Sequence, residues 1–224
     1  GVVNVSPNSP TTQVTGLQVG ETILRWAVDN GVCAAPSADT VSVFLFDANN
    51  PNANAGADQE LCILTTASVL SGSDITFPAT GTWTVIAGSG VFSDPNAAFT
   101  NLSGYSIGVN LYTWTVDNGP CANGITTDTV QVTVYDNTNL VSNAGPDQEY
   151  CTPDDAATLD GSELSLPATG LWTLVNGTAI ITDPNDPNTT VTDLGIGINT
   201  FNWQVDNGPC VNGITNDQVS ILVF

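Results

Sequence analysis

The chain repeats itself with a period of 89 residues, and this repeat constrains the fold more than any other feature. The cysteines and tryptophans recur in the same order: Cys62 as Cys151, Trp83 as Trp172, Trp114 as Trp203 and Cys121 as Cys210. The 224 residues therefore divide into a partial first repeat (1–46), a second repeat (47–135) and a third repeat (136–224). Because a fixed period marks tandem structural units, we expect one unit per repeat.

Each repeat contains short runs in which apolar and polar residues alternate. In the second repeat Tyr112, Trp114 and Val116 alternate with Thr113 and Thr115. Alternation with a period of two places the aromatic side chains on a buried sheet face. Turn sequences such as Asp-Asn-Gly separate these runs, which is typical of a β-sandwich. The sequence predicts an all-β chain of tandem Ig-like β-sandwich domains in a linear array.

The partial first repeat corresponds to the second half of a complete one. It carries Trp26 and Cys33, which match Trp114 and Cys121, but no counterpart of Trp83 or Cys62. An apolar face should therefore lie bare on the first repeat; its members are Leu24, Trp26, Val28, Val41 and Val43. Either the chain continues upstream and completes the domain in cis, which we favour, or another subunit donates the missing strands, as in strand-complemented fibres.

The charge balance excludes several functions. The chain has 22 acidic residues, one basic residue (Arg25) and no histidine, which gives a net charge of -21. A chain with one cation does not line a phosphate channel, so we expect no nucleic-acid partner, and we also expect no direct insertion into a membrane. Without histidine or lysine the usual general bases are missing, so we expect no enzyme activity.

The cysteines predict disulfides. Each full repeat has two cysteines 59 positions apart, and this equal spacing favours one bond within each domain, Cys62–Cys121 and Cys151–Cys210. Cys33 would then pair with an upstream cysteine or with one from a partner subunit. Zinc ligation and a reactive thiol are the alternatives, but the chain has no CxxC pair and no histidine. Disulfides imply an extracellular setting.

The segments between repeats are rich in Asp and Asn. Candidate calcium ligands there are Asp47, Asp58, Asp136 and Asp147, because calcium prefers six to eight oxygen ligands. No DxDxDG loop is present, and Asx turns in a solvated linker are the alternative that we favour. No other cofactor is expected.

Three motifs carry a family resemblance. They are NAGxDQxxC at 54–62 and 143–151, GxWT at 81–84 and 170–173, and VDNGPC at 116–121 and 205–210. Together they resemble the tandem Ig-like or PKD-like repeats of large Bacteroidota-type cell-surface adhesins, such as the SprB-like gliding-motility adhesins. The resemblance implies export to the cell surface by the type IX route and a stalk that holds an adhesive tip away from the cell.

Two classes of function follow. The first is a structural stalk or filament segment of a secreted adhesin for gliding or surface attachment, whose partners are neighbouring repeats of the same chain or filament. The second is a module that binds a surface polysaccharide or a protein through the loops at 86–92 and 173–181. A filament subunit that assembles by strand donation is a further alternative.

Overall fold

A computed structural model describes residues 1–33, 35–63, 67–136, 138, 141–152 and 156–224. The described residues form strands and a single 3₁₀ turn at Gly31–Cys33. The prediction of an all-β chain is therefore confirmed. The strands of the first repeat are β1 (Val3–Asn4), β2 (Val14–Thr15), β3 (Gly20–Val28) and β4 (Ser37–Leu45).

The second and third repeats each fold into two facing sheets. The second repeat contains β5 (Gln59–Cys62), β6 (Ser68–Ser71), β7 (Thr80–Ala87), β8 (Val91–Phe92), β9 (Phe99–Ser103), β10 (Gly108–Asp117) and β11 (Ile125–Tyr135). The third contains β12 (Gln148–Tyr150), β13 (Ala157–Thr158), β14 (Thr169–Asn176), β15 (Ile180–Ile181), β16 (Thr190–Thr192), β17 (Gly197–Asp206) and β18 (Ile214–Val223). The sheet orders are β5-β11-β10-β7 with β6-β9-β8, and β12-β18-β17-β14 with β13-β16-β15. Seven strands in two such sheets make an Ig-like sandwich.

A pair of tryptophans in tilted ring contact occupies the centre of each complete sandwich. Trp83 and Trp114 lie on paired strands with ring centroids 5.1 Å apart, and Trp172 and Trp203 repeat the arrangement at 4.9 Å. All four are at most 2% exposed. The alternation in the sequence predicts Trp114 as a core residue, and that prediction is confirmed.

The first strand of each sandwich determines which end of the domain its cysteine occupies. β5 pairs with β11 in parallel, with Cys62 opposite Tyr135, the last residue of β11. By contrast, β10 ends at Asp117, which pairs with Ile125, the first residue of β11. Cys121 follows β10 and therefore lies at the opposite end of the sheet from Cys62.

The first repeat has an incompletely covered face. Its longest strands, β3 and β4, form an antiparallel hairpin over the full length of both strands. Trp26 is 41% exposed, whereas its counterparts in the complete repeats are fully buried. Val28 and Val41 are exposed as well, whereas Leu24 and Val43 are half-buried, so three of the five residues predicted to lie bare do so.

Candidate functional site

The most unusual feature of the structure is a disulfide that joins two consecutive repeats. Cys62 of the second repeat bonds to Cys210 of the third, 148 positions later, with the two Cα atoms 5.0 Å apart. The predicted pairings within domains, Cys62–Cys121 and Cys151–Cys210, are therefore wrong. Cys33, Cys121 and Cys151 carry free thiols in this structure.

The pairing within a domain fails because the two cysteines lie at opposite ends of one sandwich. Ile125 and Tyr135 mark the two ends of β11, and ten steps at ~3.4 Å each separate them by about 34 Å. A disulfide requires Cα atoms within about 7 Å, so Cys62 does not reach Cys121 without unfolding the domain. The end that carries Cys62 faces the next domain, and the turn that carries Cys210 belongs to that domain.

An aromatic ring packs on a glycine beside this disulfide. The ring of Tyr135, at the end of β11, covers Gly208 in the turn after β17, and a methyl group added to Gly208 would lie 2.5 Å from the Cε2 atom of the ring. The preceding junction repeats the contact, because a methyl group added to Gly119 would lie 2.6 Å from Cζ of Phe46. Both glycines have positive φ angles, 57° and 55°. The backbone conformation and the close approach of the ring therefore both favour glycine there.

The same turn also binds the backbone of the linker. The side-chain amide of Asn207 donates a hydrogen bond to the carbonyl of Asp136 at 2.8 Å, and Asn118 donates to the carbonyl of Asp47 at 3.0 Å. Within the turn, the Asp206 carboxylate accepts from the amide of Gly208 at 2.9 Å. The Asp-Asn-Gly sequence therefore builds a turn whose Asp shapes it, whose Asn holds the linker and whose Gly receives the aromatic ring.

The electrostatic environment of the junction is acidic. The pKa of Tyr135 is raised, first by desolvation and then by the nearby Glu60 carboxylate, which accepts a hydrogen bond from the hydroxyl at 3.4 Å. Asp206 raises it further by its charge. The phenol therefore stays neutral at physiological pH and presents an uncharged ring to Gly208.

The four candidate calcium ligands have other roles. Asp47 and Asp136 each accept a hydrogen bond from a backbone amide two residues later, at 2.8 and 2.9 Å, and so form Asx turns. Asp58 and Asp147 accept backbone amides from the last strand of their own domain, both at 2.8 Å. The described residues contain no group of three acidic or cysteine side chains that could hold a metal ion. Positions 137, 139 and 140 of the second linker lie outside the described residues.

The two candidate binding loops lie at the free edge of the sheet in each domain. The prediction of loops there is wrong, because most of both segments is strand: 86–92 contains the last two residues of β7 and all of β8, and 173–181 contains the last four residues of β14 and all of β15. Ile86 and Val91 are more than 60% exposed, and Val175 and Ile180 are exposed at the matching positions. The structure therefore leaves exposed apolar side chains at this edge in the second and third repeats.

Reasoning from the sequence missed the aromatic–glycine contact. Its signal was visible, since Phe46, Tyr135 and Phe224 recur with the same period of 89 at the end of each repeat. Their role depends on the next domain placing its Asp-Asn-Gly turn against the ring, and periodicity alone does not indicate contacts between repeats.

No protein-family model and no curated protein matches this chain. Among solved structures, the PKD domain of the KIAA 1837 protein is 23% identical over 38% of this chain and 86% of that one, with a TM-score of 0.33. Titin domains I67–I69 are 12% identical over 100% of this chain and 92% of the titin chain, with a TM-score of 0.40. The four N-terminal Ig domains of Dscam1 are 12% identical over 83% of this chain and 51% of the Dscam1 chain, with a TM-score of 0.45. Scores this low say nothing about function. In the described part of the chain, no helix is long and apolar enough to span a bilayer.

Proposed function

We propose that the chain is a non-catalytic, mechanical segment of a stalk or filament in a secreted cell-surface adhesin, of the Bacteroidota type that serves gliding or surface attachment. One observation carries this proposal: Cys62–Cys210 joins two consecutive domains at a point where the backbone already joins them. A junction with a second covalent connection resists separation and bending better than a single linker does.

The disulfide also limits how far the chain extends under force. When the chain is pulled at its ends, the segment between Cys62 and Cys210 lies inside a covalent loop and does not lengthen. At ~3.5 Å per residue, the 148-residue separation removes about 520 Å from the maximum extension. A stalk built in this way keeps its length even when a domain unfolds.

The remaining properties suit an extracellular fibre. The disulfide requires an oxidising compartment, which supports export from the cell. The net charge of -21 makes neighbouring fibres repel one another and favours solubility.

Single-molecule force spectroscopy tests the mechanical proposal. The chain, held at residues 1 and 224, should extend about 520 Å further in dithiothreitol than under oxidising conditions. The Cys62→Ser variant should reach the longer extension without reductant, and Cys33→Ser should behave like the unmodified chain. Equal extension of oxidised and reduced chains would refute the proposal.

A binding module is the second candidate function, and the exposed Ile86 and Val91 at the sheet edge favour it. Exposed apolar side chains on these edge strands form a contact surface for a surface polysaccharide or a protein. Reproducible binding of the chain on a glycan array, abolished by Ile86→Ser together with Val91→Ser, would support this candidate. An unchanged signal in that variant would exclude this sheet edge as the binding surface.

A further inference from the structure

The two turns that receive the aromatic rings both contain the dipeptide Asn-Gly, which is chemically reactive. The backbone nitrogen of the glycine attacks the side-chain carbonyl of the asparagine before it, because glycine has no Cβ to hinder the approach. Two of the asparagines in such dipeptides are buried, Asn118 at 1% exposure and Asn207 at 5%. The other four lie exposed or half-buried; they are Asn30, Asn123, Asn176 and Asn212.

The preceding domain holds Asn207 away from this reaction. Its Nδ2 atom donates a hydrogen bond to the carbonyl of Asp136 at 2.8 Å, so the side-chain amide is directed at the linker. The attacking nitrogen is engaged as well, because the amide of Gly208 donates to Oδ1 of Asp206 at 2.9 Å. The ring of Tyr135 covers Gly208 from the other domain. Reaction at Asn207 therefore requires the turn to leave both the linker and the ring.

Asn118 is held in the same way at the preceding junction. Its Nδ2 atom donates to the carbonyl of Asp47 at 3.0 Å. The amide of Gly119 donates to Oδ1 of Asp117 at 2.8 Å, and the ring of Phe46 covers Gly119. The two junctions therefore protect their asparagines by the same three contacts.

We propose that Asn118 and Asn207 are sites of spontaneous deamidation, and that each reacts only while its turn is detached from the preceding domain. Local opening of the junction precedes the chemistry, so the observed rate follows the population of the open junction. The proposal rests on the contacts of the two turns and not on the mechanical role of the chain, so each can fail without the other.

The reaction needs no partner other than water. In the open junction the backbone nitrogen of Gly208 loses its proton and attacks Cγ of Asn207, and the new C–N bond closes a succinimide ring. The bond between Cγ and Nδ2 breaks, and Nδ2 takes up the proton and leaves as ammonia. One water molecule then opens the ring at either carbonyl and leaves aspartate or isoaspartate. The balance is one water consumed and one ammonia released, with no change of oxidation state.

The product opposes reclosure of the junction. A carboxylate has no hydrogen to donate, so the carbonyl of Asp136 loses the partner that Asn207 supplied. The new negative charge also lies next to Asp206 in a chain that already carries -21. Deamidation therefore converts a transient opening into a lasting one.

The two junctions serve as controls for each other in the test. The full chain is incubated in heavy-oxygen water at mildly alkaline pH, and mass spectrometry of peptic peptides measures heavy oxygen at each Asn-Gly dipeptide. Tyr135→Ala should accelerate deamidation of Asn207 about tenfold and leave Asn118 at its original rate, because loss of the packed ring raises the population of one open junction. Phe46→Ala should do the reverse. Acceleration at both sites in either variant, or at neither, would overturn the proposal.

The disulfide gives a second readout that needs no substitution in the turn. Dithiothreitol opens Cys62–Cys210 and should accelerate Asn207, whereas Asn118 should keep its rate, because Cys121 in its turn carries a free thiol. The exposed Asn212 should react at one rate with and without reductant. Equal acceleration of Asn118 and Asn207 would contradict the proposed protection by the junction.

The effect of the product is tested by placing it there directly. Asn207→Asp should let dithiothreitol reduce Cys62–Cys210 about tenfold faster, because the turn no longer binds the linker. Asn212→Asp adds the same charge five positions away on the surface and should leave the reduction rate unchanged. Equal reduction rates in the two variants would show that deamidation does not hold the junction open and would overturn that part of the proposal.

Discussion

The ring of Tyr135 lies so close to Gly208 that a methyl group added to the glycine would stand 2.5 Å from the Cε2 atom of the ring. Two different domains meet at this contact, next to Cys62–Cys210. Gly208→Ala should therefore push the junction apart and expose the disulfide. Overpacking of this kind costs about 1–3 kcal/mol, so we expect dithiothreitol to reduce the disulfide about tenfold faster, measured by mass spectrometry of the alkylated cysteines.

The control for this variant is Gly31→Ala. Gly31 has nearly the same φ angle, +60° against +57°, so both substitutions carry a similar backbone cost of about 1 kcal/mol. No described atom contacts the added methyl group at Gly31. Reduction of Cys62–Cys210 should keep its normal rate in Gly31→Ala; a similar acceleration in both variants would assign the effect to backbone strain.

Removing the disulfide should destabilise both complete repeats. When the third repeat unfolds beside a folded second repeat, the bond and the linker close a loop of roughly 74 residues, which costs the unfolded chain about 4 kcal/mol in the chain-entropy model. The same reasoning applies to the second repeat, whose loop has nearly the same length. Cys62→Ser should therefore lower the free energy of unfolding of each repeat by up to about 4 kcal/mol, measured by urea titration of tryptophan fluorescence.

Cys121→Ser is the matched control for that measurement, because Cys121 is the counterpart of Cys210 but carries a free thiol. Its urea midpoint should equal that of the unmodified chain. If Cys62→Ser also leaves the midpoint unchanged, the disulfide does not constrain the unfolded state of either repeat.

The tryptophans and the cysteines show which features of the structure can be predicted from the sequence and which cannot. Alternation located the core tryptophans, because burial on one face of a strand is a local property with a period of two. Pairing of cysteines depends on which end of a domain each one occupies. The parallel pairing of Cys62 with Tyr135 sets that position, and the sequence has no signal that distinguishes it from antiparallel pairing. The spacing of 59 within a repeat and the period of 89 together produce the spacing of 148 between repeats, so the strand direction, and not the spacing, decides which cysteines pair.

The candidate calcium ligands form no cluster among the described residues, for a related reason. Asp58 and Asp147 occupy matching positions in their repeats, but the carboxylate of each accepts a hydrogen bond from a backbone amide in the last strand of its own domain. The two carboxylates are therefore not directed at a shared site. Composition showed that the junction is rich in oxygen ligands. It did not show that backbone amides donate hydrogen bonds to these carboxylates.

The exposed face of the first repeat predicts a distinct fluorescence signature. Trp26 is 41% exposed, and the other four tryptophans are at most 2% exposed. Acrylamide, which is neutral and unaffected by the charge of the chain, should quench mainly Trp26. Trp26→Phe should therefore remove most of the quenchable emission, while Trp83→Phe should leave it in place. Strong residual quenching in Trp26→Phe would mean that the complete sandwiches open in solution.

The last prediction concerns alkaline pH and Tyr112. Its ring is fully buried and its hydroxyl donates a hydrogen bond to the carbonyl of Ser89. Desolvation, with a smaller contribution from the charge of Tyr105, raises its pKa from 10.0 to about 12. The unfolded chain loses this proton near pH 10, so the stabilisation is fully present below pH 10 and is lost as the pH rises toward 12.

Tyr112→Phe isolates this contribution, and the third repeat shows that the fold accepts the change, since Phe201 stands at the matching position and is fully buried. The variant should lose about 1 kcal/mol at pH 8, where the hydrogen bond is intact. Between pH 10 and 12 its stability should fall less steeply than that of the unmodified chain, because one group fewer is titrated. Urea titrations at pH 8, 10 and 11, with Cys33, Cys121 and Cys151 replaced by serine to prevent oxidation, measure the difference. Parallel pH profiles for the two proteins would mean that the Tyr112 hydroxyl reaches solvent before the sandwich unfolds.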